Sequence, residues 1–221
     1  MNLNEIRSSS FFRGMSEQET QDACQGLSCV EKRYPKGAVI LSAGEPTQRL
    51  GLVLSGSVTI ENNDLWGNRT ILNIIGKGGF FAETYAALEN EPVLVDVVAN
   101  ESSRIVFFNI RNLMKTDSPL LSWEFKLTRN LLRISMQKNL ALSRRSFHIS
   151  PKSIRGRVMS YLNTVSLQKH TDEFDIPFDR QQLADYLNVE RTALSKELGR
   201  MRDEGIISFK KNHFRIILSD M

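Results

Sequence analysis

The stretch "NVERTALSKELGRM" sets Arg191, Thr192, Ser195 and Lys196 at offsets of zero, one, four and five. On a helix these offsets fall on one side of the first two turns. The residue types suit nucleic acid. Arginine donates a bidentate pair to guanine, and threonine, serine and lysine reach bases or phosphates. The same four would equally decorate the solvent face of a small helical bundle, so the elements around them decide between the two.

Leu183, Ala184 and Leu187 give the preceding segment an apolar side, and Leu194, Leu198 and Met201 recur at four and three in the next. Asn188 falls between them, and asparagine tolerates the left-handed turn that such a joint needs. Val189 plugs the corner, and Ala184 is small where the second helix crosses it. The pattern predicts a helix-turn-helix. "GIISFKKNHFRIIL" predicts a hairpin wing with Lys210 and Lys211 at its tip. With Gln181, these lysines are suited to the phosphate backbone. Gly199 costs the second helix about 1 kcal/mol relative to alanine, and close packing is the expected reason.

From Val30 to Asn109, short runs rich in Val, Ile and Phe are separated by Gly, Asn, Asp and Pro. Such punctuation predicts an antiparallel barrel or jelly roll. Ahead of it, "MSEQETQDACQGL" reads as a short helix with Ser16 and Glu19 at capping-box spacing. After Pro119, "LLSWEFKLTRNLLRISMQKNLALSRR" holds neither glycine nor proline. Leu120, Leu127, Ile134 and Ala141 recur every seven residues, with Trp123 and Leu131 between them. This predicts a helix of about 25 residues ending near Ser143, roughly 35–40 Å long. Its seam, Leu120, Leu127, Leu131, Ile134 and Ala141, predicts a homodimer, although packing along its own barrel would bury the same stripe. Ser150 and Pro151 read as the cap and first turn of a further helix.

The expected fold class is therefore α+β. An N-terminal antiparallel, jelly-roll-like β-roll occupies residues 1–117, a dimerisation helix and hinge 118–147, and a winged helix-turn-helix 148–221. Charge follows this division. Residues 1–117 carry 11 Lys and Arg against 14 Asp and Glu, and residues 118–221 carry 18 against 11. A basic second half suggests a polyanionic partner there. No apolar run approaches the ~18 residues of a membrane span, no signal peptide is evident, and the 2 cysteines form no disulfide framework. A cytoplasmic protein is expected.

Taken in order, "FFRGMSEQE", "YPKGAVILSAGEP", "GLVLSGSVTI", "GGFFAE", the long helix and "RQQLADYLNVERTALSKELGRMRDEGII" resemble the CRP/FNR family of bacterial transcription regulators. The resemblance covers nearly the whole chain. It implies a cyclic-nucleotide-binding-type sensor roll, a homodimer on palindromic double-stranded DNA near promoters, RNA polymerase as a partner, and an effector in the roll that reorients the DNA-binding domains. In familiar members a glutamate stands where this chain has Thr192 and accepts from cytosine. The half-site should therefore differ from their TGTGA and TTGAT forms at that base pair.

The departures narrow the effector. Members that bind cyclic AMP carry a Gly-Glu pair for the ribose and, ten residues after the Glu, Arg-Ser or Arg-Thr for the phosphate. This chain has Ala82 and Glu83, then Val93 and Leu94. A buried cyclic phosphate would lack its cation, at a cost of several kcal/mol. The resemblance carries an effector pocket onto Phe80, Phe81, Ala82, Glu83, Thr84, Val93 and Leu94, apolar or weakly polar and suited to an unidentified small molecule rather than a nucleotide. Cys24 and Cys29 cannot supply the four ligands of an iron–sulfur cluster; a buried structural role is expected, with a thiol switch the other use. The three histidines, His148, His170 and His213, all lie beyond the roll. That removes a sensor-domain haem ligand, and it weakens the rival reading of a cupin-like enzyme, which needs histidines inside its barrel. No nucleophile motif or phosphate loop appears, so no catalytic residue, metal or cofactor is assigned. A constitutive, effector-free DNA binder is the remaining alternative.

Overall fold

The computed structural model describes residues 2–63, 69–88, 91–114 and 121–217. They form two compact units, residues 1–136 and 137–221.

The first unit opens with α1 (Leu3–Arg7) and α2 (Glu17–Gly26). The capping box of α2 is present: the Ser16 hydroxyl accepts from the Glu19 backbone at 3.1 Å, and the Ser16 amide donates to the Glu19 carboxylate at 2.8 Å. Then follow β1 (Val30–Tyr34), β2 (Val39–Leu41), β3 (Arg49–Ser55), β4 (Val58–Asn63), β5 (Arg69–Ile75), β6 (Phe80–Phe81), α3 (Glu83–Ala87), β7 (Asp96–Ala99) and β8 (Ser103–Asn109). They make two four-stranded sheets, ordered β1-β8-β3-β6 and β2-β7-β4-β5, in which every pairing is antiparallel.

Strand alternation divides the apolar residues between two cores. Val53, Phe81, Ile105 and Phe107 of the first sheet meet Val58, Ile75 and Val97 of the second. Their sequence neighbours Leu52, Leu54, Phe80, Val106 and Phe108 belong to the other core, with Ile6, Phe11, Phe12, Ala23 and Leu27. Gly51 is required, because a Cβ there would collide with the Phe81 ring.

The long helix α4 (Ser122–Ile149) has 28 residues and runs past the expected end near Ser143. Its heptad face corrects an expectation. Trp123, Leu127, Leu131 and Ile134 are buried in the core of their own unit, beside Phe11, Phe12 and Leu27. They are not available to a partner helix, so burial by the chain's own roll accounts for the repeat. Asn130 strengthens the packing by donating to the carbonyls of Phe11 at 2.8 Å and Arg13 at 2.9 Å. Ala141 is exposed, and Leu120 lies outside the described residues. No helix among the described residues is long and apolar enough to cross a membrane.

The second unit contains α5 (Ile154–Lys169), β9 (Glu173–Asp175), α6 (Arg180–Leu187), α7 (Arg191–Asp203), β10 (Ile207–Lys210) and β11 (His213–Ile216). The cap of α5 is Ser153, whose hydroxyl accepts from Gly156 at 3.0 Å. Ser150 instead still bonds back to Ser146 at 3.0 Å, closing α4. The three strands form one antiparallel sheet, ordered β10-β11-β9. Val158, Leu162, Leu183, Ala184, Leu187, Leu194, Leu198 and Met201 make a core with Phe174 and Phe214.

Candidate nucleic-acid interface

The joint between α6 and α7 is built from its caps. Asp179 and Gln182 close a capping box at the start of α6, and Asn188 ends that helix at φ 54°, in the left-handed region. Glu190 caps α7, accepting from the amides of Thr192 at 3.0 Å and Ala193 at 2.8 Å, and from the Thr192 hydroxyl. The Thr192 hydroxyl hydrogen is thus committed to Glu190. These bonds, the hydroxyl first, hold the Glu190 carboxyl below the usual carboxylate range. Leu194, Leu198 and Met201 turn inward, and Arg191, Thr192, Ser195 and Lys196 are all exposed. Four donors or acceptors therefore lie on the accessible side of one helix whose other face is locked into a core.

The wing stands on aromatic stacking. The rings of Phe209 and Phe214 stack at 5.6 Å, and the Arg180 guanidinium at the start of α6 lies 5.1 Å from the Phe209 centroid. Lys210 and Lys211 are exposed at the hairpin turn, and Lys211 holds φ 56° there. Gln181 is exposed but already donates to Asp185 at 2.8 Å.

Close packing does not explain Gly199, because a Cβ placed there meets nothing within 4 Å. The residue follows Ser195 by four and Lys196 by three, which puts it beside them on the accessible face. Gly199→Ala should raise stability by about 1 kcal/mol, and, where this exposed face meets duplex DNA, the added methyl should lower affinity. Thermal melts and fluorescence titration of the same variant check both halves.

The seven residues expected to line one effector pocket do not converge. Phe80 and Phe81 project from opposite faces of β6 into different cores. Glu83 and Val93 are buried, whereas Thr84 is exposed and Leu94 is 69% exposed. A cavity of about 370 Å³ on this unit is lined by Pro46, Thr47, Gln48, Arg49, Ala86, Leu88, Asn109 and Arg111, and so by none of the seven. Strand alternation sends adjacent phenylalanines to opposite faces, which a resemblance by position does not register. Ala82 has φ 62° at the entry to α3. A residue with a Cβ pays about 1–2 kcal/mol in that region. Ala82→Gly should therefore raise stability by roughly 1 kcal/mol, read as a higher melting temperature; an unchanged or lower one contradicts this.

Cys24 is buried and Cys29 half-buried, and both are free. The amide of Cys29 donates to the Cys24 carbonyl at 3.0 Å, closing the end of α2.

Comparison with known proteins agrees with this architecture. Residues 31–116 match the family model described as a cyclic nucleotide-binding domain, and residues 156–221 match the Crp-like helix-turn-helix domain. The chain is 25% identical over 189 residues to the cAMP-activated global transcriptional regulator CRP of Pasteurella multocida, covering 81% of this chain and 86% of that one. It is 27% identical over 209 residues to the cyclic AMP receptor protein of Thermus thermophilus, covering 91% and 89%. Among solved structures, the c-di-GMP responsive global regulator CLP of Xanthomonas campestris matches with a TM-score of 0.54 over 92% of this chain and 100% of that chain, at 17% identity, a likeness of fold alone.

Proposed function

The chain belongs to the CRP/FNR family of DNA-binding transcription regulators, and from that premise we propose that it acts in the cytoplasm as a homodimer on a palindromic operator, with RNA polymerase as partner and a small-molecule effector other than a cyclic nucleotide. The observation that carries the DNA half is the side of α7 bearing Arg191, Thr192, Ser195 and Lys196, with Lys210 and Lys211 on the wing and Gln181 nearer the backbone. The family is one of regulators, not enzymes.

The dimer half rests on a different face of α4 from the heptad. Phe125, Leu132, Met136 and Leu140 recur at seven, four and four, and each is half or more exposed. The spacing puts them in one stripe, roughly opposite Leu127 and Ile134 on the helix. A second copy of the same stripe is the natural cover, because a two-fold axis places like patches together.

The effector half rests on Val93, only 2% exposed, at the position where cyclic-nucleotide binders keep a cation. An unpaired buried phosphate there would cost several kcal/mol. A constitutive regulator is the second reading, favoured by the burial of Phe80 and Phe81 in two separate apolar cores. Selection of bound duplexes from a random pool tests the function: a recovered palindrome occupied by two chains supports it, and no enriched sequence under any condition overturns it. Calorimetry should show no cyclic AMP or cyclic GMP binding. Tight DNA binding by ligand-free protein would favour the constitutive form.

A further inference from the structure

The last turn of α4 is tied to the helix-turn-helix through defined hydrogen bonds. Arg145 donates from Nε to the Tyr186 carbonyl and from Nη2 to the Asp185 carbonyl, both at 3.1 Å. Arg157 on α5 donates from Nη1 to the carbonyls of Leu187 at 3.2 Å and Asn188 at 2.9 Å, and from Nε to that of Pro151 at 2.9 Å. Two guanidinium groups thus cover the carbonyls at the C-terminal end of α6, of which that of Asp185 also accepts from the Asn188 amide at 3.3 Å, where helix carbonyls run short of donors and a cation is favoured.

His148 completes the attachment. It is 3% exposed, with Nδ1 2.9 Å from the Tyr186 hydroxyl and Nε2 3.0 Å from the Thr164 hydroxyl. Thr164 already donates its hydrogen to the Ser160 carbonyl at 2.9 Å. It can therefore only accept, which puts the imidazole hydrogen on Nε2 and the lone pair on Nδ1. That lone pair takes the Tyr186 O–H. Donation runs in one direction, from Tyr186 to His148 to Thr164 to Ser160, and it joins α6, α4 and α5 through a neutral ring.

We infer that His148 is a proton-sensitive positioning residue: neutral, it holds α6 against the end of α4, and protonated, it loosens the DNA-reading helices. A second proton would reverse the bond to Tyr186 and leave that hydroxyl to find another acceptor. It would also bury a cation among aromatic rings. Tyr161 of α5 stands edge-on at 5.4 Å and Tyr186 of α6 at 5.8 Å. The charges nearby give no relief. Arg144 and Arg145 are on the same helix, and Lys169 lines the adjoining groove of about 560 Å³. The acid lining that groove, Asp175, is hydrogen-bonded to His213 at 3.1 Å. Burial first, then Arg144, holds the His148 pKa below its ordinary value. The sign follows. The unfolded chain takes up this proton more readily than the folded one, so the stability from a neutral His148 is full above about pH 6.5 and is lost as pH falls below it.

This inference rests on the DNA-reading role of α6 and α7. The experiment uses the full chain as wild type, His148→Gln and Tyr186→Phe. Operator affinity and melting temperature are followed from pH 8 to 5.5, each normalised to its own value at pH 8. Wild type should lose several-fold more affinity than His148→Gln over that range, with about tenfold the ceiling that a single proton and an ordinary pKa near 6.5 allow at pH 5.5, because glutamine keeps a donor and an acceptor and takes up no proton. Tyr186→Phe should begin its loss at a higher pH. Parallel curves for wild type and His148→Gln overturn the inference. So does a His148 imidazole that titrates at or above about 6.5 in the NMR spectrum of wild type, a measurement that stands even if a variant fails to fold. Failure of wild type to bind any duplex at any pH would instead remove the DNA-reading role, while the NMR titration and melts would still report on the bond itself.

Discussion

Leu132→Glu should convert the protein to a folded monomer at micromolar concentration and weaken operator binding by at least a hundredfold. Leu132 is 54% exposed and lies between Phe125 and Met136 on the proposed interface stripe. Each such side chain is already about half covered, so covering the rest contributes about half of the 1.5–3 kcal/mol of full burial, and four from each chain give roughly 6–12 kcal/mol, comparable to the ~4–15 kcal/mol that association costs. The variant places two carboxylates near a two-fold axis and removes two leucines. Because Leu132 faces solvent within the chain, the fold should survive, with circular dichroism unchanged. Ile134→Glu gives the opposite result. Ile134 is 8% exposed and packs in the chain's own core, so a glutamate there should unfold the first unit rather than separate two intact copies. Sedimentation of both variants distinguishes the faces: a Leu132→Glu dimer, or an Ile134→Glu monomer with native circular dichroism, would show the interface to be misplaced.

The two faces of α4 also show how far the sequence could be read. A seven-residue apolar repeat reports that a stripe is buried, not what buries it. Leu127, Leu131 and Ile134 form the more regular stripe, and the roll takes it; Phe125, Leu132, Met136 and Leu140 are less regular, and their exposure shows only in the structure. The helix-turn-helix was more legible because its signals are local. Asn188 in the left-handed region, small Ala184 and the inward Leu194, Leu198 and Met201 all stand where spacing and turn chemistry place them. The cap of α5 lies three residues beyond Ser150, since Ser150 and Ser153 are equally good caps by residue type and only the continuation of α4 to Ile149 decides between them. Phe80 and Phe81 look like one pocket in a sequence, but they cannot be one on a strand. His148, Thr164 and Tyr186 are far apart in sequence and carry no shared motif, so nothing before the fold could bring them together.

Arg191→Ala should lose about 1–3 kcal/mol of operator affinity and relax the preference at one base pair per half-site, the size expected for a bidentate guanine contact. Lys211→Ala should behave differently. Its exposed ammonium at the wing tip suits a phosphate, so binding should weaken across all sequences and the salt dependence should flatten by about one unit. Lys211 holds φ 56°, so Lys211→Gly should match this loss of affinity while melting no lower than Lys211→Ala, separating the charge from the turn. Thr192 is the residue expected to set the half-site. Its hydroxyl hydrogen is donated to Glu190, which leaves a methyl and an oxygen lone pair to face the groove. Thymine offers a methyl to match, and adenine or cytosine an amino donor. The glutamate of familiar relatives would instead bring a carboxylate to cytosine. Duplexes selected by wild type should therefore depart from TGTGA and TTGAT at the base pair beneath Thr192, and those selected by Arg191→Ala should become degenerate at a neighbouring position. If wild type recovers TGTGA unaltered, the reading of Thr192 is wrong. If the two selections are indistinguishable, Arg191 does not touch a base.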